Sequence, residues 1–401
     1  MDSDAWQADQ RGRFRSLLDI LAVSTKLGLT SFGGPIAHLG YFHAEYIKRR
    51  KWMDERSYAD LVALCQFLPG PASSQVGIGI GVIRAGILGG AAAWIGFTLP
   101  SVIILVLFAL LLKGLNVADA GWIHGLKLVA VAIVAQAILS MGQKLTPDRT
   151  RISMAVVAMA ISLLWQSAIS QVAIIVAAGM VGMMMLGKGS QNERSPDLTV
   201  PVRRSTAVIS LSLFVLLLLL LPVIRSVSAA HWIAVFDSFY RSGALVFGGG
   251  HVVLPLLERE VVPTGWLSEA AFISGYGAAQ AVPGPLFTFA AYIGAAMGGW
   301  TGAVVATCGI FLPAFLLVIG ALPFWDTLRR KPKMQGALAG VNAAVVGMLL
   351  AAFYDPIWTG TIAAPIDFVG ASVLFVLLVY WKLPPWVIVI TGALGGFIWY
   401  R

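Results

Sequence analysis

Two short segments carry the residues best placed to do chemistry: Gln66-Phe67-Leu68-Pro69-Gly70-Pro71 and Gln280-Ala281-Val282-Pro283-Gly284-Pro285. Each sets an uncharged amide three residues ahead of a Pro-Gly-Pro break within an apolar stretch. Proline lacks an N–H and pushes the preceding residue off helical geometry, so a helix must stop there. A new helix starts at or just after the second proline, a residue that suits the first helical position. Its free N–H groups and positive dipole end then lie where the chain is most apolar. Such an end attracts anions. Gln66 and Gln280 add neutral donors, and the hydroxyls of Ser73, Ser74 and Thr288 follow the breaks. One such break reads most simply as a kink; two, each with its glutamine, favour a site.

A second pair of motifs, Phe32-Gly33-Gly34 and Phe247-Gly248-Gly249, offers backbone that another group can approach closely. Lys26 and Arg241 each lie six residues before these motifs. A cation at membrane depth is usually functional, but a long side chain can also snorkel to the interface, and both readings stand. Glu45 and Glu260 fit ion pairs with loop cations better than proton carriage. Gly81, Gly86, Gly89 and Gly90 read as helix-packing positions, and Arg84 as a cytoplasmic topology charge. His38 and His251 lie near the glycine motifs at unequal offsets, and the five histidines show no metal-ligand spacing. Cys65 and Cys308 read as small core residues, not a disulfide. No phosphate-binding Gly-x-x-x-x-Gly-Lys-[Ser/Thr] loop and no nucleophile–His–acid set is present. The expectation is a non-enzyme with no cofactor and no metal.

These motifs belong to an internal repeat. Phe32-Gly33-Gly34 recurs after 215 residues, Trp52-Met53-Asp54-Glu55 and Gln66–Pro71 after 214, and Phe97-Thr98-Leu99-Pro100 after 213. The predicted units are a cytoplasmic tail over 1–15, a first repeat over 16–186, a polar cytoplasmic linker over 187–206, an extra crossing over 207–230 and a second repeat over 231–401.

The elements that position them are membrane helices. The 401-residue chain is 58% hydrophobic and 12% charged, against about 45–50% and about 25% in soluble domains. Its apolar blocks are long enough to span a bilayer. The net charge of +9 reports basic cytoplasmic loops, not nucleic-acid binding. No signal-peptide pattern precedes the first block. Basic residues flank the first Phe-Gly-Gly segment on both sides, so both flanks are predicted cytoplasmic. That segment enters and returns, and the Gln66–Pro71 segment forms a second such hairpin. The extra crossing then turns the second repeat over. The predicted architecture is an all-α polytopic membrane protein of two inverted-topology repeats, with nine crossings and four re-entrant hairpins. Broken helices meeting near the midplane suit anion transport.

Lys26–Pro35, Trp52–Glu55, Gln66–Pro71 and Gly96–Pro100, each with its counterpart, resemble the chromate ion transporter family in its two-domain, long-chain form. The resemblance runs from about Phe14 to Trp399. Gly250 stands where the first half has Pro35, and Met297 where it has Arg84. The resemblance implies a multi-pass protein of the bacterial inner membrane that expels chromate and confers resistance. From the breaks, glycine motifs and paired cations, the residues expected to hold the oxyanion are Lys26, Phe32, Gly33, Gly34, Gln66, Pro69, Gly70, Pro71, Arg241, Phe247, Gly248, Gly249, Gln280, Pro283, Gly284 and Pro285. Sulfate is the alternative substrate, and a non-transporting receptor or scaffold the alternative class. Lipid is an expected partner, a second copy of the chain remains open, and nucleic acid is not expected.

Overall fold

The computed structural model describes residues 3–31, 34–112, 121–165, 168–186, 201–228, 230–246, 253–325 and 331–399. Phe32, Gly33, Phe247, Gly248 and Gly249 lie outside the described residues, as does most of the expected linker. Among the described residues all regular structure is helical. The first half comprises α1 (Ser3–Thr30), α2 (Gly34–Phe42, extended by a π-helical turn His43–Arg49), α3 (Glu55–Phe67), α4 (Ala72–Leu112), α5 (Gly121–Leu145), α6 (Arg149–Leu164) and α7 (Ala168–Met185). Helix α8 (Arg204–Val227) follows. The second half comprises α9 (His231–Leu245), α10 (Val253–Val261), α11 (Glu269–Ala281), α12 (Phe289–Ala321), α13 (Pro332–Ala352), α14 (Pro365–Val379) and α15 (Pro385–Trp399).

Among the described residues five helices are long and apolar enough to cross a membrane: Ala72–Leu112, His124–Gln143, Arg204–Val227, Leu286–Phe324 and Pro332–Asp355. Two of these are not straight. Backbone at Ala85 and Gly86 leaves the helical region, with Gly86 at φ +68°. Past it, Gly89 packs on Gly81, and Gly90 lies against Ile78 and Val82. Residues eight or more apart on one straight helix would be at least about 12 Å apart along the axis. The 41-residue α4 is therefore a hairpin whose arms, 72–84 and 87–112, touch through glycines. Helix α12 repeats the device at Gly298 and Gly299, with Gly294 on Gly302. Gly81, Gly89 and Gly90 pack helices as expected, whereas a Cβ on Gly86 would meet nothing within 4 Å, and Gly86 makes the turn instead.

Helix α1 lies along α4, α9 along α12, and α4 meets α12 in the centre. The outer helices are exchanged: α5 packs on α14 and α15, and α13 on α6 and α7. Both exchanges close on small residues, Gly125 against Gly392 and Gly396, and Gly182 against Gly336 and Gly340. Side chains without a Cβ let helices approach closely enough for dispersion to hold them where lipid supplies no hydrophobic drive. Helix α8 borders α9 and α12 and turns Ile209 and Leu219 outward, as a lipid-facing surface requires.

Candidate functional site

In each half the helices on either side of the glycine motif, and those on either side of the Pro-Gly-Pro, run back along each other. In the first, Ser24 Oγ lies 3.1 Å from Tyr46 Oη and Lys26 Nζ donates to Glu45 Oε2 at 2.7 Å, so α2 runs back along α1. Leu61 packs over Gly79, so the first arm of α4 runs back along α3 from the Pro69-Gly70-Pro71 tip. The second half matches, with Arg241 Nη2 on Glu260 Oε2 at 3.0 Å and Gly275 beneath the Tyr292 ring.

The tips meet across the two halves. The Gly70 N–H donates to the Val246 carbonyl at 2.6 Å, and the Gly284 N–H donates to the Ser31 carbonyl at 2.9 Å. Val246 immediately precedes the second Phe-Gly-Gly and Ser31 the first, so each Pro-Gly-Pro bonds to the residue just ahead of the opposite glycine motif. Gly70 and Gly284 have φ of +121° and +102°, conformations that L side chains rarely adopt. Space is short as well: a Cβ on Gly70 would lie 3.2 Å from the Ala314 Cβ, and one on Gly284 2.8 Å from Ser101 Oγ. Ala314 and Ser101 follow the in-helix prolines Pro313 and Pro100, which leave a carbonyl one turn back without its intrahelical donor.

A cavity of about 460 Å³ opens at one of these junctions. Gly34 of the first glycine motif, Gln280 and Gly284 line it together with Gln136, Lys382 and Pro385. The Gln280 amide donates to Tyr276 Oη at 2.7 Å. Gln66, its counterpart, is exposed.

The two junctions are filled differently. In the first half, His38 Nδ1 is 3.2 Å from Ser73 Oγ, its ring meets Phe97 edge-on and it also reaches the Ser31 backbone. Gln75 Nε2 donates to the Pro69 carbonyl at 2.7 Å, bracing the break. Ser31 Oγ, Ser74 Oγ, Gln75 Oε1 and Thr98 Oγ1 are buried with no hydrogen-bond partner among the described residues. At the repeat spacing these positions become Val246, Val253, Phe287, Thr288, Phe289 and Phe311. There Phe289 contacts Phe272 and Tyr276 edge-on and stacks on Tyr292, while Phe287 meets Phe311.

Lys26 and Arg241 sit below the tips in ion-pair clusters. Glu45 takes Lys26, Arg49 and Arg50, and Arg50 also reaches Asp19. Arg241 pairs with Asp237 and Glu260, and Arg225 of α8 joins both acids. Arg84 lies 4.2 Å over the Trp52 ring. Its second-half position is Met297, but Arg225 approaches Trp266, the counterpart of Trp52, to 5.9 Å. The extra helix thus restores the cation that the second repeat lacks. Farther down, on α10 and outside the crossing helices, burial and then the Glu269 charge push the Glu258 carboxyl up to about 7. Its first-half counterpart is His43, which pairs with Glu55 at 2.5 Å.

Repeat matching misses Gln75, Gln136 and Lys382. Gln75 has an unlike counterpart, and Lys382 reads as one more loop cation, although the Pro384-Pro385 pair beside it marks a turn in an apolar region. Among the described residues no cluster of metal-ligating side chains occurs.

The sequence profile of the family described as Chromate transporter matches residues 18–183 and again 233–397. A chromate transport protein of Pseudomonas aeruginosa is 27% identical over 93% of this chain and 90% of its own length. A probable chromate transport protein of Synechococcus elongatus is 28% identical over 96% of both chains. A chromate transport protein of Cupriavidus metallidurans is 25% identical over 96% of this chain and 94% of its own. No solved structure matches significantly. The motif-borne resemblance therefore holds over both halves: this multi-pass helical membrane protein belongs to the chromate transporter family.

Proposed function

We propose that the protein is a secondary transporter that exports chromate, or a closely similar oxyanion, across the bacterial inner membrane and so confers chromate resistance. The observation that carries this reading is the reciprocal meeting of the hairpin tips, Gly70 on Val246 and Gly284 on Ser31, beside a polar cavity. The helix starts that follow such breaks leave backbone N–H groups free to meet an anion. The charge pattern supports an inverted second repeat over 231–401 and a cytoplasmic N-terminus. Basic residues crowd the first-half loops at Lys48–Lys51, whereas the matching loop carries Glu258, Glu260 and Glu269.

The direction follows from charge. Chromate near neutral pH is largely a dianion, and the membrane potential is worth about 2.3 kcal/mol per charge per 100 mV. Two charges leaving a negative interior gain about 4.6 kcal/mol, roughly three decades of gradient. Efflux on this account needs no ATP site.

The test is radiolabelled chromate uptake into inverted membrane vesicles under an imposed potential, with sulfate as competitor. Potential-dependent uptake is expected, and the Gln66→Leu/Gln280→Leu double variant should lose it while remaining folded. Vesicles that take up no chromate under either polarity would sink the reading.

A further inference from the structure

We infer that Lys382, in the turn between α14 and α15, is the charged residue that binds the oxyanion, so that the junction at Gly284 is the loaded one of the two. The inference rests on the oxyanion reading above and deepens it. Lys382 lines the cavity with Gln136, Gln280 and Gly284. Among the described residues it is the one charged group lining that cavity, and no carboxylate is in its wall. No ion-pair partner for Lys382 occurs among the described residues, in contrast to Lys26 and Arg241, whose charges Glu45, Asp237 and Glu260 already neutralise. A dianion entering the cavity therefore meets one uncompensated positive charge, two neutral amides and the glycine backbone of two tips.

The turn itself is unusual. The Leu383 N–H donates to the Leu377 carbonyl at 3.1 Å, one residue wider than the usual closure that ends a helix on a left-handed residue, normally glycine. Lys382 occupies that conformation, with φ +55°. Lys51 does the same at φ +53° at the end of α2, and its second-half counterpart is Gly265, at φ +73°. Glycine is thus an accepted solution at such turns in this fold, and the turn of α14 keeps a lysine at a cavity wall. The helices it joins are 15 residues each, about 22 Å and shorter than the roughly 30 Å hydrocarbon core. The turn can therefore sit at depth, level with the Pro-Gly-Pro break that shares its cavity. In the proposed topology α14 returns towards the cytoplasm, the side from which an exporter loads.

The plainer role for Lys382 is a topology charge, and glycine separates the two. Lys382→Gly suits the left-handed backbone and should leave the anion-free melting temperature of the detergent-solubilised full chain unchanged or higher. Chromate affinity, read by calorimetric titration, should weaken about tenfold to a hundredfold, the range for a lost charge-assisted hydrogen bond. Lys382→Arg should keep affinity within about threefold, since it keeps the charge. Wild-type affinity in Lys382→Gly overturns the inference and leaves the oxyanion reading standing. Failure of the wild-type protein itself to bind chromate or sulfate overturns both.

Discussion

The two tip junctions share one backbone plan and differ in what fills it. The first half supplies Ser31, His38, Ser73, Ser74, Gln75 and Thr98; at the matching positions the second supplies Val246, Val253, Phe287, Thr288, Phe289 and Phe311. Buried polar atoms without partners cost about 1–3 kcal/mol each, so the first set is a stability debt. The aromatic set gains dispersion and edge-to-face contacts instead. An aromatic set from one half thus faces a polar set from the other, and the cavity opens at Gly284, where Ser31 of the polar set meets the second half. Duplication supplied the geometry, and divergence assigned the tasks.

The aromatic side should break hardest. Phe289→Ala removes a fully buried ring that touches three other aromatic rings. It is expected to lower stability by about 3–5 kcal/mol, read as thermal unfolding in detergent. Unchanged melting would mean that the aromatic cluster does not hold the second half together.

The polar side should behave in the opposite way. His38→Val installs the second-half residue and removes a buried polar group. Its effect on melting should stay within about 1 kcal/mol in either direction, because the lost hydrogen bond to Ser73 and the removed desolvation offset. Chromate flux should still fall. Full flux would show that polarity at this junction is incidental.

The smallest effect lies below the tips, where His43 and Glu55 attract but Glu258 and Glu269 repel. A carboxyl at about 7 in the folded chain stays protonated there while the unfolded chain ionises near 4.5. Folding thus binds the proton, and this group's contribution falls as pH rises from about 4.5 to about 7. Glu258→Gln should raise the melting temperature at pH 8 and leave it unchanged at pH 4. Equal shifts at both values would assign the effect to packing.

Much of this was readable from the chain because composition and repetition are loud signals. Apolar blocks imposed helices, and Pro-Gly-Pro stops imposed breaks. The family resemblance followed from motifs matched at nearly constant spacing. Repetition points to Gln66, whose partner Gln280 lies at the right distance, and is silent on Gln75, whose counterpart is Phe289 and which braces the break. The pairing of Gly70 with Val246 was illegible for another reason. It is a backbone hydrogen bond across some 176 residues, and no side chain announces it. The reversal inside α4 lay hidden in a glycine, Gly86, that also had a packing reading.

The exchange of outer helices has a consequence for synthesis. Helix α13 meets α6 and α7, which leave the ribosome before it, but α5 must wait for α14 and α15, the last helices made. Until they arrive, the Gly125 face of α5 has no cover. The first half to be translated is therefore completed by the last residues of the second, and a chain stopped before Pro365 loses the packing of both.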